Sequence, residues 1–106
     1  MNNEPATHEP ITRYSVEAAV VQRGLGRATS REASIEFDTS VEQNASLMGP
    51  ADLLASAFAA CVLKNVERFA QMLSFTYATA SIRVTLERQD RPPRITSVQF
   101  LNIPFW

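Results

Sequence analysis

Few residues in this chain can do covalent chemistry. Its 106 residues include one cysteine, Cys61, and one histidine, His8. Cys61 lies within GPADLLASAFAACVLKNVERFAQML, residues 49–73, the most apolar run of the sequence. Two readings of this thiol stand side by side. Free cysteine is among the most buried residue types and packs as a small hydrophobe. Alternatively it is a nucleophile, which requires an arginine, a lysine or a helix N-terminus nearby to favour the thiolate. Cys61 sits about three turns into its own helix, too far for the dipole of that helix to help. A reactive Cys61 therefore needs an arginine from another element. A Ser-His-Asp or Cys-His pair would need His8 to fold back from the N-terminus. One cysteine and one histidine cannot build a zinc site, and GLGR, residues 24–27, lacks the length and following helix of a phosphate-binding loop. No cofactor is expected.

Composition narrows the partners. Ten basic and eleven acidic residues give a net charge of −1 and are spread along the chain, so neither nucleic acid nor an anionic membrane surface is an expected partner. A single cysteine forms no internal disulfide, which fits a reducing compartment. MNNEPATHEP, residues 1–10, lacks the basic-then-apolar pattern of a signal peptide. The longest apolar run, Leu53 to Leu63, is interrupted by Ser56 and falls short of the roughly 20 residues that span a bilayer. A soluble, cytoplasmic protein is expected.

The elements that must position these residues follow from periodicity. Residues 1–12, with Pro5 and Pro10, read as a flexible tail that carries His8. From Arg13 the pattern has period two, with Tyr14, Val16, Ala18 and Val20 on one face of a strand. RGLGR, residues 23–27, reads as the hairpin turn, and Ala33, Ile35 and Phe37 define a second strand. Residues 39–49 read as a loop. Pro50 suits a first helical turn and Asp52 meets the positive end of the dipole, so a helix is predicted from Pro50 to Leu73. Its first half is apolar all round and rich in alanine, which predicts burial on every side. In its second half Val66, Phe69, Ala70 and Leu73 form the dry face. At about 1.5 Å per residue the helix is on the order of 35 Å long, which suggests that a second subunit helps to cover it. Ala80, Ile82, Val84 and Leu86 mark a further strand, ERQDRPPR (87–94) a turn, and residues 95–102 a last strand. The predicted order is β-β-α-β-β, an α+β layout in one domain over residues 13–106.

GPADLLASAFAAC, residues 49–61, resembles the signature of the OsmC/Ohr family, whose name refers to osmotic induction and organic hydroperoxide resistance. GLGR (24–27) is similar to the turn of that family's first hairpin, and ASIRVTLERQ with PPRITSVQF is similar to the strand pair after its helix. The resemblance covers about residues 13–102. It implies an intertwined homodimer in which two long helices, one per subunit, are wrapped by sheets. It also implies a thiol peroxidase acting on a small apolar hydroperoxide, with Cys61 as the peroxidatic nucleophile that becomes a sulfenic acid. Arg27 matches the thiolate-stabilising arginine, with Arg23 as a substitute. Asp52 matches an acid that orients the arginine, although the peroxidase branch typically carries a Glu one residue earlier, where this chain has Ala51. Family members continue through a further helix, which carries a resolving cysteine, and a final strand. This chain ends at FLNIPFW, so a truncated product is expected, with an external thiol as reductant. Two other readings remain: a non-catalytic dimer that binds an apolar ligand, and an inactive truncated product.

Overall fold

The computed structural model describes residues 9–103. His8, most of the tail expected over 1–12 and the final residues of FLNIPFW lie outside the described residues. The chain is α+β: β1 (Glu17–Gln22), β2 (Leu25–Ser30), β3 (Ala33–Asp38), α1 (Pro50–Leu73), β4 (Ser81–Asp90) and β5 (Pro93–Ile103). The first three strands form one antiparallel sheet in the order β1-β2-β3, and β4 and β5 form a second, two-stranded one. No helix among the described residues is long and apolar enough to cross a membrane.

Three strands, not two, precede the helix. The turn expected over residues 23–27 is shorter, and Leu25–Ser30 runs as the central strand of the sheet. Two features hide this strand in the sequence. Gly26 stands inside it, where glycine usually signals a turn. The next turn is made by Arg31 and Glu32, with Arg31 at φ 57°, a left-handed conformation that side chains seldom take. Gly26 has a packing reason. A Cβ built there would stand 2.6 Å from Cζ of Phe37 and 2.8 Å from Cγ2 of Thr39, so only a bare backbone lets the Phe37 ring lie across β2.

The register divides this sheet into two unlike faces, because residues directly opposite in an antiparallel pair point the same way. Ala18, Ala28 and Ile35 are aligned, as are Val20, Gly26 and Phe37, giving one apolar face. Ala19, Arg27 and Glu36 are aligned on the other face, beside Glu17, Thr29 and Ser34. The apolar face is bare, with Val20 65% and Ile35 48% exposed.

Helix α1 keeps the predicted bounds. Pro50 occupies its first turn, and the Asp52 carboxylate accepts the Gly49 N–H at 3.0 Å, relieving one of the unpaired donors at the helix start. At the far end Ser74 turns left-handed, φ 57°, and the Phe75 N–H reaches the Ala70 carbonyl at 3.0 Å. The helix packs on β4, where Ile82, Val84 and Leu86 alternate with exposed neighbours. Phe58 adds an edge-to-face contact with Phe100 of β5, ring centroids 5.9 Å apart. The turn between these strands is tighter than residues 87–94, and Pro93 opens β5, a position where a missing N–H is tolerated.

Burial on every side of the first half of α1 does not occur within one chain. Ala70 is the only buried apolar side chain among the described residues, and Leu54, Phe58, Phe69, Met72 and Leu73 are all exposed. The chain exposes 9316 Å², where a compact protein of 11.8 kDa exposes roughly 5,900 Å².

Candidate functional site

Of the half-buried positions of α1, Ala51, Ala55, Ala59, Val62 and Val66 lead to buried Ala70 at spacings of three and four and mark the centre of the covered stripe, with Leu53, Leu63 and Asn65 half-buried beside it. Cys61 lies outside that stripe and is exposed. Leu54, Ala57 and Phe58 precede it by seven, four and three residues, spacings that place all of them on its side of the helix. The thiol therefore stands with Leu54 and Ala57 in an uncovered apolar surface of the helix, bordered by Phe58 where its ring meets Phe100, and it makes no hydrogen bond among the described residues.

Arg27 is not in a turn. It sits in the middle of β2, on the polar face of the sheet, and its Nη2 lies 2.8 Å from the Glu36 carboxylate. Both side chains are nearly half exposed. The face that could be laid on an apolar helix is the opposite one, so Arg27 points away from it. Arg23 is the arginine that occupies the β1–β2 turn, where it is exposed.

Asp52 is engaged at the start of its own helix, through Gly49. It faces a cavity of about 390 Å³ between the β3–α1 loop, the first turn of α1 and β4, and the arginine lining that cavity is Arg88. Arg88 also pairs with Asp90 at 3.1 Å. A register shift between Glu87 and Arg88 breaks the alternation of β4 at this point, as a bulge does when it re-aims a side chain. In the sequence Arg88 falls within the charged turn ERQDRPPR. The continuation of the strand past Glu87 carries no apolar alternation that would have revealed it.

The loop bordering this cavity is organised by Asp38, 8% exposed at the end of β3. Its carboxylate accepts the Ser40 N–H at 2.8 Å, the Asn44 N–H at 2.9 Å and the Ser40 hydroxyl. These donors, the Ser40 hydroxyl foremost, hold its carboxyl below the usual value. The Asp38 N–H in turn reaches the Met48 carbonyl at 2.9 Å, which fixes where the chain enters α1.

Within one chain, then, Cys61, Arg27 and Asp52 are placed on three separate features: an uncovered helix surface, the polar face of a sheet and a helix start. No group of three or more metal-binding side chains forms among the described residues. A comparison of the chain with known protein families, with curated proteins and with solved structures finds no match.

Proposed function

We propose that the chain is an OsmC-like thiol peroxidase that reduces small organic hydroperoxides in oxidative stress defence, as a homodimer and with an external thiol as reductant. The observation that carries this reading is the exposed thiol of Cys61 among Leu54, Ala57 and Phe58, an apolar surface suited to the organic part of a hydroperoxide. In the reaction the Cys61 thiolate attacks the O–O bond. A sulfur–oxygen bond forms, the oxygen–oxygen bond breaks, and the leaving alkoxide takes a proton and departs as an alcohol. One external thiol condenses with the sulfenic acid and releases water. A second thiol frees Cys61 and leaves the reductant as a disulfide.

The uncovered surfaces support the homodimer. Among the described residues nothing covers the apolar face of β1–β3 or the Leu54, Ala57 and Cys61 surface of α1, and a second copy would supply apolar surface for each. The resemblance assigns thiolate stabilisation to Arg27 and the orienting acid to Asp52. The arginine that lines the same cavity as Asp52 in its own chain is Arg88.

The test is the intact mass of reduced protein after brief exposure to an organic hydroperoxide, with Cys61→Ser as control. Rapid addition of one oxygen, or of a thiol adduct when a small thiol is present, absent in the control, is the expected result. A thiol that survives peroxide levels also tolerated by free cysteine would sink the peroxidase reading. It would favour a dimer that binds an apolar ligand, for which the sheet offers an apolar cleft of about 170 Å³ beside Val16, Ala28 and Ile35.

A further inference from the structure

The far end of α1 carries a second concave surface, unrelated to Cys61. The last turns of the helix and residues 74–77 line an open groove of about 560 Å³, with Glu67, Gln71, Ser74, Phe75 and Tyr77 along it. That volume lies within the roughly 300–1,000 Å³ of small-molecule sites. The Phe75 and Tyr77 rings meet at an angle, centroids 6.5 Å apart and planes inclined at 50°, and so present two aromatic surfaces. The Tyr77 hydroxyl donates to the Glu67 carboxylate, which ties the charge to the aromatic wall.

Among the described residues the charged features of this groove share one sign. Glu67 is the one carboxylate among its described lining residues, none of which is basic, and the last turn of α1 carries no basic side chain. The carbonyl end of a helix is the negative end of its dipole. The hydrogen bond to Glu67, with desolvation and the Glu67 charge behind it, holds the Tyr77 phenol above its usual value. A carboxylate has lone pairs to spare after accepting one hydroxyl, and aromatic faces attract cations. A hard metal ion would want several oxygen ligands, and here one carboxylate faces two rings. A weakly hydrated organic cation matches such a lining better.

We propose that this groove binds an organic cation of the alkylammonium class, held by Glu67 and by the Phe75 and Tyr77 rings. The test is an NMR titration of the full chain with tetramethylammonium chloride at constant ionic strength, alongside neopentyl alcohol, a neutral probe of similar shape. Saturable shifts of the Phe75 and Tyr77 ring resonances are expected, with the cation bound about tenfold or more tighter than the alcohol. Glu67→Gln keeps an acceptor for Tyr77 and should weaken the cation about tenfold. Tyr77→Phe keeps the ring and should leave binding largely intact, which guards against misreading a folding defect. Equal affinity for the two probes, no saturation, or an affinity indifferent to Glu67→Gln would each overturn the proposal.

Discussion

The sheet of β1–β3 and the unit of α1 with β4 and β5 differ in what they leave uncovered. In the sheet, β2 is paired along both edges and Asp38 ties the following loop to its last strand. Among the described residues, nevertheless, no other element is laid across its apolar face. In the second unit the apolar alternation of β4 is spent on one stripe of α1, and Phe58, at the border of the Cys61 side, meets Phe100, but Leu54, Ala57 and Cys61 stay exposed. Backbone hydrogen bonds are local and can close within each unit. Apolar burial is not local, and both units fall short of it by a whole face. Two complementary deficits in one chain are what an assembly of two copies would remove.

The most severe way to break this comparison is a charge on the open stripe. Leu54 is 42% exposed in the single chain. Were the chain complete alone, Leu54→Asp would change stability by no more than about 0.5 kcal/mol, as exposed substitutions do. With a second copy on that stripe, the buried carboxylate should cost several kcal/mol and abolish the dimer. Sedimentation velocity, with urea melts at two protein concentrations, separates the outcomes. We expect a wild-type dimer whose midpoint rises with concentration, and loss of both properties in Leu54→Asp.

The same division between local and non-local explains what could be read from the sequence. The bounds of α1 were legible because Pro50, Asp52 and the apolar spacing are signals within the element itself. So was the Ile82, Val84, Leu86 face of β4. The central strand β2 was not, because its glycine serves a ring from β3 and its second turn uses Arg31 where glycine or asparagine would have announced it. The candidate site was legible only as residue types. Cys61, Arg27 and Asp52 could be named, but which face each one shares depends on sheet register, and Arg88 emerged only with the irregularity at the end of β4.

Within the sheet, the sharpest local probe is Gly26→Ala. The added methyl would collide with the Phe37 ring and with Thr39, and overpacking of this kind costs about 1–3 kcal/mol. A urea melt should show that loss, and Phe37→Leu in the same chain should recover part of it by removing the ring. Full tolerance of the alanine would mean that β2 does not hold the central position.

Asp38 offers a milder probe whose sign depends on pH. Its carboxyl is held below its usual value by hydrogen bonds to its charged form, the Ser40 hydroxyl foremost. A group depressed in the folded state stabilises above its unfolded pKa, and that contribution disappears as pH falls through the folded value. Asp38→Asn should therefore lower the melting temperature at pH 7, and the gap from wild type should close as the pH drops below about 4. A gap of constant size at all pH values would show that the loop is held by shape and not by the carboxylate.

The smallest expected effect on stability is the most informative about chemistry. Arg27 and Glu36 form an ion pair with side chains 46% and 47% exposed, and such pairs contribute about 0–1 kcal/mol. Arg27→Met should accordingly leave the melt close to wild type. Its effect on the rate at which hydroperoxide oxidises Cys61 is then free of any folding artefact. A rate lowered tenfold or more, at unchanged stability, would place the Arg27 guanidinium at the thiol, which the polar face it occupies permits only if the assembled dimer brings a second helix to that face. An unchanged rate in Arg27→Met, with a slowed one in Arg88→Met, would move the role to the arginine that lines the cavity beside Asp52. The apolar faces would then serve assembly alone, and the bulge in β4 would be the feature that arms the site.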